Sequence, residues 1–218
     1  MKTMTLRTLL LTLLLGAPCM PAWSALQGAA TESQWATPVD KTFNLYRMQP
    51  DLYRSALPNA VQQGELQRLK IATVINFYQR SDSEWLSDPG IRLIQQPLHA
   101  DRVDDADVLQ ALRSIREAQL RGPVLIHCKH GQNRTGLIAA MYRIVYQGWS
   151  KQQAIAEMRG AGFGGQERFE DAERYVREVD LTRFGQALAS GACSTSPWAY
   201  CAPVSYTHLR AHETKANL

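Results

Sequence analysis

A chain of 218 residues with 24 Lys and Arg against 20 Asp and Glu carries a net charge of +4, but the surplus sits at its ends. Without Lys2 and Arg7 at the start and Arg210, Glu213 and Lys215 at the end, residues 25–203 hold 20 basic against 19 acidic side chains, about +1. Nothing in so even a balance argues for a nucleic-acid or anionic-membrane partner, so none is expected, and a chain of that length suits one domain around one core.

Residues 1–24 read as a secretory signal peptide. Lys2 and Arg7 give a positive start, Leu9 to Ala17 a short apolar stretch, and Ala22-Trp23-Ser24 a small-x-small cleavage site. The apolar stretch is too short to span a bilayer, so a soluble, exported protein is expected. Residues 25–40 are small and polar without periodicity and read as a flexible lead-in. The domain proper is placed at 41–203. Residues 204–218 resemble the conceptual translation of a sequencing-adapter read-through and are set aside as a non-native tail.

Within the domain, Phe43 to Arg47 and Leu52 to Ser55 read as short strands around the turn Met48-Gln49-Pro50-Asp51. Asn59 to Lys70 reads as a helix with Leu66 and Leu69 inward. Thr73 to Phe77 and Ile91 to Gln95 are further strands. Asp104 to Leu120 places Val108, Leu109, Leu112 and Ile115 at helical spacing. Val124-Leu125-Ile126-His127 is a continuous apolar run of the kind that fills a central strand covered on both faces. Thr135 to Tyr146 is an apolar, hence buried, helix. Ser150 caps another, ending at the glycines from Gly160 to Gly165, and Arg168 to Val179 forms a last amphipathic helix. Helices alternating with strands predict an α/β domain, a mixed central sheet flanked by helices.

Three cysteines remain after trimming: Cys128, Cys193 and Cys201. Export permits disulfides, and an odd count leaves one thiol free. Pairing Cys193 with Cys201 closes a small loop worth roughly 2–3 kcal/mol and leaves Cys128 reduced. Three unpaired thiols remain the alternative.

The chemistry concentrates at His127-Cys128-Lys129-His130-Gly131-Gln132-Asn133-Arg134-Thr135-Gly136. The Cys-x5-Arg spacing alone recurs by chance in a chain with four cysteines and 18 arginines. The added His127, Gly131 and Thr135-Gly136 make chance a poor explanation. A phosphate monoester needs many donors on three oxygens. A loop opening into a helix supplies them, because its amides are unpaired and the dipole favours negative charge. Lys129, His130, Gly131, Gln132, Asn133 and Arg134 can wrap such a nest, with Gly131 supplying the backbone freedom. Arg134 offers a planar fork for two phosphate oxygens. The same positive setting favours the thiolate, so Cys128 is the expected nucleophile. Thr135 can donate to the cysteine sulfur, and His127 braces the loop.

The leaving oxygen needs a proton, and Asp101, Asp104, Asp105 and Asp107 are near in sequence. Asp104 and Asp105 begin a helix, where capping explains them, and Asp107 suits its first turn. Asp101 lies in a loop after a strand and is the first choice as general acid, with Asp104 or Asp105 as alternatives.

The segment HCKHGQNRTG resembles the signature loop of the cysteine-dependent protein tyrosine phosphatases. Leu52-Tyr53-Arg54-Ser55-Ala56-Leu57-Pro58 is similar to a segment of their compact dual-specificity branch, and residues 99–105 to its general-acid loop. With the export signal, the likeness is greatest to the bacterial periplasmic members, which are linked to biofilm control. The resemblance implies a dual-specificity-phosphatase-like fold and hydrolysis through phosphocysteine without metal or cofactor. It implies activity on phosphotyrosine, with less on phosphoserine and phosphothreonine. It also implies a periplasmic monomer whose partner is a phosphorylated protein, such as the periplasmic part of a membrane signalling protein. The interior Lys129-His130-Gly131-Gln132-Asn133 lacks the Ala-Gly pair common in the larger family, which bears on substrate choice. The alternative substrate is an inositol phosphate or pyrophosphate, favoured by Lys129 and His130. A sulfurtransferase is disfavoured by loop length and Arg134-Thr135, and a silent phosphoprotein-binding module by the intact cysteine, arginine and acid.

Overall fold

The computed structural model describes residues 34–99, 102–164, 170–196 and 198. The signal peptide, the tail 204–218, Asp101 and Cys201 lie outside the described residues. Six strands form one sheet: β1 (Thr37–Asp40), β2 (Leu45–Gln49), β3 (Leu52–Ser55), β4 (Thr73–Asn76), β5 (Arg92–Gln95) and β6 (Val124–His127), in spatial order β1-β2-β3-β6-β4-β5. The first three strands are antiparallel, whereas β3, β6, β4 and β5 run parallel. Parallel neighbours require crossovers, which run through α1 (Gln63–Arg68) between β3 and β4 and α2 (Asp105–Gln119) between β5 and β6. After β6 come α3 (Asn133–Gln147), α4 (Lys151–Gly160), α5 (Glu170–Glu178) and α6 (Leu181–Ser190).

Because successive strand residues face opposite ways, the sheet divides two cores. Val124 and Ile126 of β6 join the larger core with α2 and α3, while Leu125 between them joins Tyr53, Leu66 and Val74 on the other face. All four residues of β6 are fully buried, as the apolar run predicts for a central strand. α3 is buried along nearly its whole length, from Arg134 to Ile144.

Four boundaries differ from the sequence reading. The lead-in assigned to 25–40 contains the edge strand β1; four residues with a proline show no usable periodicity, and an edge tolerates Pro38 because no ladder donor is needed there. The second strand starts at Leu45, since Lys41–Phe43 form a 3-10 turn capped by Asp40 and closed by Asn44 at φ 58. The helix expected from Asn59 opens as a 3-10 turn, Ala60–Gln62, with an Asn59/Gln62 capping box before α1. The helix α6 went unread. Its signals were present: Asp180 accepts from the amides of Thr182 and Arg183, Phe184 and Ala187 face inward, and Gly191 ends it at φ 76.

Candidate active site

The segment between β6 and α3 sits at the carboxyl ends of three adjacent parallel strands, with Ser55 of β3 and Asn76 of β4 paired on either side of His127. That is where open α/β sheets leave room for ligands. Three successive carbonyls of the loop are held from outside. The Leu57 amide donates to the Lys129 oxygen (3.2 Å), Asn44 Nδ2 to the His130 oxygen (3.1 Å), and Arg54 Nη2 to the Gly131 oxygen (2.8 Å). In a planar trans peptide the C=O and the following N–H point opposite ways, so the amides of His130, Gly131 and Gln132 are turned to the concave side. The first turn of α3 points its backbone amides the same way, and no side chain caps it. Together they form a cup of donors suited to an anion.

Gly131 meets two demands. Its φ is 72°, and a Cβ there would lie 2.6 Å from the Ala56 nitrogen and the Ser55 carbonyl. Cys128, at the start of the loop, is buried and is the free cysteine among the described residues. Cys193 is disulfide-bonded, which agrees with the expected division of labour; the expected partner, Cys201, lies outside the described residues.

Arg134 is 9 % exposed and anchored along one edge. Its Nη1 donates to Gln79 Oε1 (3.0 Å) and approaches the carbonyls of Phe77 (3.4 Å) and Leu98 (3.5 Å), while Nε is buried and without a partner among the described residues. An unpaired buried donor costs free energy until an acceptor arrives, so this edge is ready for an oxyanion. Tyr78 lies beside the guanidinium, its ring centroid 5.3 Å away.

His127, expected to brace the loop, has a partner the sequence did not reveal. Its Nε2 lies 2.7 Å from Asp82 Oδ2, both side chains buried, and Asp82 Oδ1 accepts from Asn76 Nδ2 (3.0 Å) and Trp85 Nε1 (2.9 Å). Thr135 is placed differently from its expected bond: its hydroxyl is buried and makes no hydrogen bond, to the Cys128 sulfur or to any other group. Lys129 and His130 are exposed on the loop, Gln132 and Asn133 half-buried.

Of the carboxylates considered as the acid, Asp104 caps α2 by accepting from the Ala106 amide (2.9 Å), and Asp105 is engaged by Tyr175 (2.6 Å) and Thr195. Both are structurally occupied. Burial pushes the Asp107 carboxyl up, aided by Asp104, with His99 and Arg102 pulling it down. Asp101, the first choice, lies outside the described residues. Among the described residues, no group of three or more His, Cys, Asp or Glu is arranged to hold a metal ion.

Arg54, Asn44, Asp82 and Gln79 are the residues that sequence reasoning missed. Arg54 left the clearest trace: a charged residue inside the buried strand Leu52–Ser55 requires a partner. Asp82 left none, because Ser81-Asp82-Ser83-Glu84 reads as an ordinary polar turn.

Residues 52–170 match the catalytic domain of the dual specificity phosphatases. The chain belongs to that family. Its relatives include the dual specificity protein phosphatase TpbA of Pseudomonas aeruginosa strain UCBPP-PA14, 51 % identical over 195 residues, covering 88 % of this chain and 89 % of TpbA. The crystal structure of P. aeruginosa TpbA in complex with pTyr aligns with a TM-score of 0.71 at 52 % identity, over 73 % of this chain and 99 % of that one. A more distant relative, inositol diphosphatase DSP5 of Arabidopsis thaliana, is 27 % identical over 157 residues, 67 % of this chain and 74 % of its own. The matched span of this phosphatase runs from β3, which carries Arg54, through the Cys128–Arg134 loop to the start of α5. The edge strands β1 and β2 precede it and α6 follows it.

Proposed function

We propose that this phosphatase hydrolyses phosphotyrosine in proteins, and phosphoserine and phosphothreonine more slowly, through a phosphocysteine at Cys128. The observation that carries this is the cup itself: a buried free thiol beside a loop with three successive carbonyls held from outside, next to an arginine whose Nε has no partner among the described residues. In the first step the Cys128 sulfur attacks phosphorus in line, and the phosphorus–oxygen bond to the leaving group breaks. The loop amides and Arg134 take the charge on the three equatorial oxygens. Asp101 donates the proton that the leaving oxygen requires. In the second step water attacks the phosphorus of the phosphocysteine, Asp101 accepts its proton, and the sulfur–phosphorus bond breaks, which returns the Cys128 thiolate and releases inorganic phosphate. Thr135, buried and without a hydrogen bond, can turn its hydroxyl to that departing sulfur.

The phosphotyrosine preference is supported by the complex of TpbA with pTyr. The signal-like residues 1–24 support a periplasmic enzyme, acting as a monomer on a phosphorylated protein there, such as the periplasmic part of a membrane signalling protein. A role in biofilm-related signalling is supported by the likeness to TpbA, a tyrosine phosphatase related to biofilm formation.

A second reading rests on the exposed Lys129 and His130 and the relative that is an inositol diphosphatase: the same loop would act on an inositol phosphate or pyrophosphate. Mature protein assayed in chelator-treated buffer against phosphotyrosine, phosphoserine and phosphothreonine peptides and an inositol pyrophosphate separates the two. The expected order places the phosphotyrosine peptide first. Preference for the inositol compound would replace the protein-phosphatase reading.

A further inference from the structure

Arg54 is the residue whose placement the proposed reaction has not used. It is 1 % exposed, in β3, beside the strand that leads into Cys128. Burying a guanidinium is costly unless an anion or several acceptors compensate it. Its one hydrogen bond among the described residues goes to the Gly131 carbonyl (2.8 Å), and its plane lies 3.6 Å over the ring of Phe163. No carboxylate forms an ion pair with it among the described residues. The nearest acidic influence, Glu157 of α4, is already held by Arg143 of α3 through two bonds (2.7 and 3.0 Å) and by the Ala36 amide (2.7 Å). The other groups facing Arg54 are Tyr46 of β2, Arg143 itself and Cys128. Burial holds the Arg54 guanidinium down at about 10, still a cation at neutral pH, and Cys128 is among the charges that pull it back up. A buried cation with no carboxylate of its own among the described residues, bonded to the phosphate loop, calls for an anion in that loop.

We propose that Arg54 is a second guanidinium of the phosphatase site, a positioning residue that fixes the Gly131 peptide from below and supplies fixed positive charge favouring both the Cys128 thiolate and the bound phosphate. It acts through the loop, whereas Arg134 faces the ligand. Phe163 stacks on the guanidinium, whose Cζ lies 3.6 Å from the ring centroid, and so holds it oriented beneath Gly131. Asn44 Nδ2 ties the same two segments together, donating to the His130 oxygen (3.1 Å) and the Phe163 oxygen (2.8 Å).

This rests on the thiolate reading above, and the test separates them. Arg54→Gln keeps a donor for Gly131 and removes the charge; Arg54→Lys keeps the charge and loses the fork. The rate of Cys128 alkylation by iodoacetamide is followed at pH 6 and pH 9, with inhibition by inorganic phosphate alongside and thermal melting as a fold check. For Arg54→Gln the rate at pH 6 is expected to fall about tenfold, with less than about threefold change at pH 9. The inhibition constant for phosphate rises about tenfold in the same variant. Arg54→Lys stays within about threefold of the parent at both pH values. Equal losses for the two variants at both pH values, or a Gln variant like the parent, would overturn the proposal. If Arg54→Gln does not fold, the parent decides. Raising NaCl from about 0.1 to 1 M shortens screening from about 10 to 3 Å but reaches buried charges little, so its pH 6 rate should change less than about threefold. A tenfold fall would assign the effect to exposed Lys129 and overturn the claim for Arg54. A parent whose Cys128 resists alkylation at every pH would remove the thiolate reading, and this inference with it.

Discussion

At Gly131 conformation and space make the same demand. A φ of 72° costs an L side chain about 1–2 kcal/mol, and a Cβ would in addition strike the backbone of Ser55 and Ala56. Gly131→Ala is therefore expected to shift the loop and its amides, lowering kcat/KM on a phosphotyrosine peptide by at least about 100-fold while costing about 1–3 kcal/mol in urea unfolding. An alanine variant with parental turnover would mean that the cup does not depend on this peptide. Asp101→Asn is expected to reduce kcat/KM, which reports the step that breaks the phosphorus–oxygen bond, by roughly 10²–10⁴ on a poor leaving group and much less on a good one, since only the former needs the proton in that step. Steady-state kinetics on the two classes of ester check it; equal loss on both would point to another role. Cys128, Gly131 and Arg134 were legible because their chemistry requires those residue types at that spacing. Arg54, Asp82 and Asn44 were not, because each reaches the loop from a segment 45 to 86 positions away, and a distance along the chain says nothing of a distance across a sheet.

β6 and α3 were readable from pattern alone: an unbroken apolar tetrad bounded by glycine and histidine, then a helix buried on nearly every side. β1 and α6 were not, the first being too short for periodicity, the second following a helix whose end left the chain without an obvious further role. α4 and α5 are joined at the surface by Glu173, which accepts from both Arg159 and Arg177. Burial pushes the Glu173 carboxyl up, but the two arginines outweigh it and hold it below the ordinary range. A carboxyl depressed in the folded state stabilises it above the unfolded carboxylate range and loses that contribution as pH falls through its own lowered value. Glu173→Gln should thus cost up to about 1 kcal/mol at neutral pH, discounted for the exposure of both arginines, and nothing once pH lies below the carboxylate range. Urea titrations at several pH values decide: a gap that persists in acid would assign the loss to packing.

Around the α/β body, one buried ion pair links three elements. Arg143 of α3 and Glu157 of α4 are nearly inaccessible, and Glu157 also takes the Ala36 amide, which fixes the start of β1 beside Trp35 packed on Gly160. Glu157→Ala leaves a buried guanidinium and an amide unpaired and is expected to cost about 3–5 kcal/mol, seen as a large fall in urea midpoint at an unchanged slope. A loss under about 1 kcal/mol would show that water replaces the carboxylate. The layered architecture follows from helix–strand alternation, and its consequence is the position of the thiol: three parallel strands end together and leave one loop between them to bind. The most direct test is to mix the enzyme with a phosphotyrosine peptide in chelator-treated buffer, quench in acid within one turnover, and determine by mass spectrometry which residue carries phosphate. The account predicts PO3 on Cys128, and none when Cys128 is replaced by Ser. Full turnover by the Cys128→Ser variant, or phosphate trapped on any other side chain, would contradict it.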